Sequence, residues 1–154
     1  MVKKTASKKK PPVKTAKKSV KKPTRTTGKT PTIGEQTHYV KVGRLHKPIA
    51  DAIGREAAYI YISQNNLRHI FLRHRTEIAE LGFTPKAFVD LVVTGFNQIY
   101  KAQRDALFLI IQNGKSKVVV VEMNYSLKEG FYEVITASVM SKDFFKNKEL
   151  LWKK

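Results

Sequence analysis

The residues best suited to chemistry lie in one stretch of nine, Leu67-Arg68-His69-Ile70-Phe71-Leu72-Arg73-His74-Arg75, which holds two of the chain's four histidines together with three arginines. Imidazole exchanges protons near neutral pH, and guanidinium grips phosphate through two parallel hydrogen bonds. The pairing therefore suits metal-free cleavage of RNA, in which the ribose 2'-hydroxyl attacks the adjacent phosphorus. On a helix, His69 and His74 stand about 140° apart around the axis, so they do not share one stripe. His74 falls in line with Phe71 and Ile78, where a hydrogen-bonded core histidine is the plainer assignment. His69 borders Arg73 one turn on, and Arg68, Arg73 and Arg75 also fit a helix that simply holds phosphates.

The second half of the chain supplies further candidates. A strand over 131–139 places Tyr132, Val134, Thr136 and Ser138 on one face and Phe131, Glu133, Ile135, Ala137 and Val139 on the other. The hydroxyls of Thr136 and Ser138 suit a phosphate or a developing oxyanion, although both residue types also fit strands for packing reasons. Lys101, Arg104, Lys115 and Lys117 fall near strand ends and turns, where loops present charge to a substrate or protect sheet edges. Glu122 and Glu133 are the acids within the two longest expected strands; Glu122 is a candidate general base, with a cross-strand ion pair as the alternative for either. There is no glycine-rich phosphate loop, serine nucleophile elbow, HExxH or acidic cluster of magnesium-binding type, which disfavours metal-dependent polymerases, kinases and proteases; no metal or cofactor is expected. With no cysteine, disulfide scaffolds, thiolate metal sites and cysteine nucleophiles are excluded.

These residues need positioning, and the pattern from 37 onward predicts one α+β domain over 37–154. Short strands are expected at 39–42 and 58–62, flanking a helical turn at 49–53 closed by Gly54. Ser63 then caps a helix whose Leu67, Ile70, Phe71, His74, Ile78 and Leu81 recur at helical spacing until Gly82. Thr84-Pro85 opens a second helix through Phe88, Val89, Val92 and Val93 to Gly95. Beyond it the period changes to two, giving strands at about 96–102, 106–112, 117–125 and 131–139. Their links are too short for crossover helices, and Asn113-Gly114 is a hairpin signal, so a four-stranded antiparallel meander is expected with the N-terminal helices packed on one face. Ser141 is expected to cap a last helix through Phe144, Phe145, Leu150 and Leu151.

Charge sets the remaining segment apart. Of the net +18, residues 1–34 carry +12, with 11 Lys, 1 Arg and no acid. This segment also has four of the six prolines and none of the aromatic residues, so it buries too little apolar surface to offset chain entropy. Residues 1–36 are expected to form a disordered basic tail. In it Lys3, Lys4, Lys8, Lys9, Lys10, Lys17, Lys18, Lys21 and Lys22 would bind a polyphosphate by counterion release without sequence preference, and charge alone does not separate DNA from RNA. No apolar run approaches the roughly 20 residues needed to span a bilayer, and lysine rather than an apolar segment follows the N-terminus. A membrane protein or a signal-peptide secretory protein is not expected; an intracellular one is.

The helix with His69-Ile-x-x-Arg73-His74, the second helix opened by Thr84-Pro85 and a meander ending in Val134-Ile-Thr-Ala137 together resemble the phage-borne barnase/EndoU/colicin/RelE-like (BECR) nuclease domains over about residues 59–139. The resemblance implies a metal-independent endoribonuclease of toxin or phage type, with its site on the open face of a small antiparallel sheet. Carried onto this chain, it makes His69, His74 and Arg73 the motif residues, Thr136 with Ser138 the strand hydroxyls, and Lys101 or Arg104 the basic partner. A histidine or Glu122 would take the 2'-hydroxyl proton and a second histidine would protonate the leaving 5'-oxygen. Virion proteins or a cognate inhibitor are the implied partners. The competing expectation is a non-enzymatic phage-internal protein that binds or packages nucleic acid, and a ribosome-associated basic protein is a third.

Overall fold

The structure is a computed structural model and describes residues 37–154. The tail at 1–36, with its predicted disorder and its lysines from Lys3 to Lys22, lies outside the described residues. In chain order the elements are β1 (Tyr39–Leu45), α1 (Lys47–Ile53), β2 (Ala58–Ser63), α2 (Gln64–Ala79), α3 (Pro85–Gly95), β3 (Gln98–Lys101), β4 (Leu107–Ile111), β5 (Lys117–Ser126), β6 (Phe131–Ser141) and β7 (Leu150–Lys153).

Local signals place the helix starts. Ser63 accepts the Asn66 amide at 3.1 Å to open α2, and Thr84 accepts the Ala87 amide at 3.2 Å to open α3 behind Pro85. Both are side-chain N-caps that satisfy an otherwise orphaned donor. Gly54 closes α1 in the left-handed conformation at φ 68°. α2 stops at Ala79, short of Gly82, and Leu81 is left 48% exposed.

The expected four-stranded antiparallel sheet is overturned: the sheet is mixed and has seven strands, in the order β1-β2-β6-β5-β4-β3-β7. The meander β3 to β6 is antiparallel throughout, but it is only the middle of the sheet. On one side β2 pairs parallel to β6 through Ile60↔Tyr132 and Tyr61↔Glu133, and β1 pairs antiparallel to β2. A parallel neighbour needs a long crossover, and α2, α3 and most of the meander provide it. On the other side the expected C-terminal helix is absent. Lys142–Phe145 make a single 3-10 turn, and Leu150–Lys153 pair with β3 as β7. Free hydrogen-bonding groups on the edge of β3 outweigh a helical spacing that rested on four apolar residues.

Two cores result. α2 and α3 cover one face, where Ile70, Ile78, Phe88, Val89 and Val92 meet Leu107, Leu109, Val121, Met123, Val134 and Ala137. α3 packs against β1, β4 and β5, strands that are not all neighbours, so the sheet curls around it. On the other face Phe145, carried by the 3-10 turn, closes a smaller cluster with Phe108, Ile110, Val118 and Val120.

One irregularity decides which residues share a face. Glu122 opposes Thr136 while Met123 opposes Val134, leaving Ile135 as an extra residue in β6. Such a bulge reverses the alternation. Tyr132 and Val134 enter the helix-side core, as does Ala137, whereas Thr136 and Ser138 project from the other face beside Glu122 and Val120. The expected single face of Tyr132, Val134, Thr136 and Ser138 is therefore corrected.

β1 approaches α3 so closely that a Cβ at Gly43 would collide with Cγ1 of Val93. Gly43→Ala is expected to lower the unfolding free energy by about 1–3 kcal/mol in urea denaturation, the usual cost of overpacking. Combined with Val93→Ala it should cost less than the two single losses added together, because the smaller side chain vacates the clash.

Candidate functional site

The rotation of α2 fixes what its basic residues can reach. Ile70 and Ile78 are fully buried on the sheet side. The Asn66 side-chain amide donates to the Val134 carbonyl at 2.9 Å and to Glu133 Oε2 at 2.8 Å, tying the start of α2 to β6 at the point where β2 ceases to pair with it. With that face committed, Arg68, His69 and Arg73 are exposed and His74 is half-buried.

The histidines nevertheless meet. Their ring centroids are 6.5 Å apart at an interplanar angle of 70°, so side-chain reach offsets their divergence around the helix. His74 Nδ1 donates to Glu77 Oε1 at 2.7 Å. A carboxylate only accepts, so Nδ1 carries a proton, and it is Nε2 that faces a substrate, as a lone pair in the neutral imidazole. Glu77 was not among the sequence candidates, although its i,i+3 spacing from His74 was legible. Arg68 and Arg73 form no ion pair among the described residues. Arg75 lies away from the pair, its guanidinium over the Phe71 ring at 5.0 Å, and both residues line a separate hollow with Phe83 and Pro85.

The remaining candidates do not join the histidines. Ile70 and Ile78 seat α2 on the face that carries Val134 and Ala137, while Thr136, Ser138 and Glu122 project from the other face. Neither a hydrogen bond nor an ion pair among the described residues connects the two sets. Glu122 lies between Phe108 and Thr136 in the strand register, and burial pushes its carboxyl above the ordinary range while Lys148 pulls it back. Lys148, also missed from sequence, holds its ammonium over Phe144 at 4.7 Å. The Thr136 hydroxyl is buried without a hydrogen-bond partner among the described residues.

Lys101 ends β3, exposed. Arg104 stands in a strained turn over Gln103–Asp105, where Arg104 and Asp105 take φ values of 55° and 65°, and Arg55 donates to the Asp105 carbonyl at 2.6 Å to hold it. Lys115 and Lys117 flank the β4–β5 hairpin, turned at Gly114 with φ 86°. Among the described residues no hydrogen bond or ion pair links any of these four side chains to His69 or His74.

Comparison with known proteins finds no matching family model, no matching curated protein and no matching solved structure. Among the described residues no three His, Asp or Glu side chains are grouped to hold a metal ion, and no helix is long and apolar enough to cross a membrane.

The raised pKa of Glu122 has a consequence for stability. Folding favours its protonated form, so the contribution is fully present below the ordinary carboxylate pKa and is lost as pH rises through the shifted value. Glu122→Gln, which is neutral at every pH, should therefore melt higher than the parent at pH 7. The gap should shrink toward zero near pH 4. Thermal unfolding followed by circular dichroism at the two pH values measures this.

Proposed function

We propose that the domain is a metal-independent endoribonuclease whose reacting groups are His69 and His74 on α2. The observation that carries the proposal is the hydrogen bond from His74 Nδ1 to Glu77 at 2.7 Å, with the second imidazole 6.5 Å away. A base oriented by a carboxylate, a second proton carrier within reach of the same phosphodiester and two arginines with no ion pair among the described residues are the parts this reaction needs. The assignment to BECR-like nucleases of phage or toxin type rests on the His-Ile-x-x-Arg-His helix and the meander.

In this scheme His74 Nε2 takes the proton of the ribose 2'-hydroxyl. The new bond from that oxygen to phosphorus forms as the bond to the 5'-oxygen breaks, and protonated His69 supplies the proton to the leaving oxygen. Arg73 and Arg68 neutralise the charge that builds on the phosphoryl oxygens. The products are a 2',3'-cyclic phosphate and a free 5'-hydroxyl. Glu122, Thr136, Ser138, Lys101 and Arg104 take no part in the step as written. The lysine-rich segment, with +12 over residues 1–34, raises the local concentration of RNA without reading its sequence.

That charge also favours the second proposal, a nucleic-acid-binding or packaging protein that does not cleave. One experiment separates the two. Mixed single-stranded RNA is incubated with the full-length protein in excess chelator, beside His69→Ala/His74→Ala, and the product ends are resolved. Cyclic phosphates from the parent alone support the nuclease; intact RNA retarded equally by both proteins supports the binder. Glu77→Gln should slow cleavage by about 10- to 100-fold, since the imidazole loses its orienting carboxylate while both histidines remain. Removal of residues 1–34 should flatten the dependence of RNA affinity on salt, measured by filter binding between 50 and 200 mM salt, and leave the cleavage chemistry in place.

A further inference from the structure

A cavity of about 600 Å³ lies among β1, the start of α1, the end of α3 and β7. β1 and β7 are the two outermost strands of the sheet, and the curl around α3 brings residues of both to the same hollow. Its rim carries Lys41, Arg44, His46 and Lys154, no Asp or Glu lines it, and none of these four has a carboxylate partner among the described residues. Lys41 Nζ is 4.5 Å and the Arg44 guanidinium 5.1 Å from the centre of the Tyr59 ring, so one aromatic ring holds two like charges close together. His46 makes no side-chain capping bond to α1 and keeps its ring free. On the same lining, half-buried Trp152 packs edge-on to Phe96 at 5.7 Å, with Val93 and Ile49 also on the lining.

We propose that this cavity binds one nucleotide unit of single-stranded nucleic acid, phosphate at the Lys41–Arg44–Lys154 rim and base against Trp152. Cations gathered without counter-charges call for an anion. An inorganic anion would not need the aromatic floor, and an apolar ligand would not need the rim; a phosphate joined to a planar ring uses both, which is how sequence-tolerant single-strand sites are built. The volume is in the range of small-ligand sites. Gly43 contributes to the wall, and its missing side chain lets β1 close onto Val93 at the back. The site does not depend on cleavage at α2 and would serve a binding protein equally.

Trp152 is the chain's one tryptophan, so intrinsic fluorescence reports on this cavity. Full-length protein is titrated with a thymidylate deoxy-octamer, which lacks the 2'-hydroxyl needed for cleavage, and, separately, with inorganic phosphate. Saturable quenching by the octamer is expected, with an apparent affinity about 10-fold or more weaker in Lys41→Ala/Arg44→Ala, whose side chains are exposed and whose melting temperature should be unchanged. His69→Ala/His74→Ala should quench like the parent, so a failure of the nuclease proposal and a failure of this one give different results. Absence of quenching, or equal quenching in the Lys41/Arg44 variant, overturns the site. Quenching by phosphate alone with the octamer's affinity overturns the nucleotide assignment, since the base would then contribute nothing.

Discussion

The extra residue at Ile135 governs which side chains of β6 can act together. Before it, Tyr132 and Val134 belong to the helix-side core; after it, Ala137 takes their place and the hydroxyls of Thr136 and Ser138 turn to the opposite face. Without the bulge, those hydroxyls would point into the core that seats α2. With it, the sheet becomes a partition: imidazoles and arginines on one side, Glu122 and its hydroxyl neighbours on the other. The chemistry proposed here is confined to α2 for this reason.

The helix can sustain that chemistry because its rotation is fixed from two directions. Ile70 and Ile78 hold its underside by burial, and Asn66 fixes its first turn through the Val134 carbonyl. A helix secured only by apolar contact has some freedom to roll, and a roll would separate groups that must meet one phosphate. Glu77 then removes the remaining freedom of the His74 ring. The same economy appears at β1, where Gly43 lets a strand approach α3 to contact distance and so shapes the hollow behind Tyr59.

Helix caps and turns, which act within a few residues, were legible in the sequence. Ser63, Thr84-Pro85 and Asn113-Gly114 declare their caps and turn, and the four meander strands follow from a period of two. What escaped in the fold depends on distant partners. Leu150 to Lys153 look helical beside Phe144 and Phe145, and become a strand because β3 offers an open edge. The parallel pairing of β2 with β6 leaves no mark in either segment. Alternation along β6 was extrapolated through Ile135, since nothing in a β-branched residue announces that it will stand unopposed. At the site, the two histidines and Arg73 were found by residue type; Glu77 was passed over because a lone acid on a basic helix resembles a solvated one. The cavity with Trp152 draws on both ends of the domain, so no window of sequence contains it.

The pairing of β2 with β6 has a kinetic meaning. Tyr61 and Glu133 meet across about 70 intervening residues, whereas every contact within the meander closes a short loop. Closing the longer loop costs more chain entropy before any contact is gained, so this one parallel pairing weighs more on the speed of folding than any single turn of the meander.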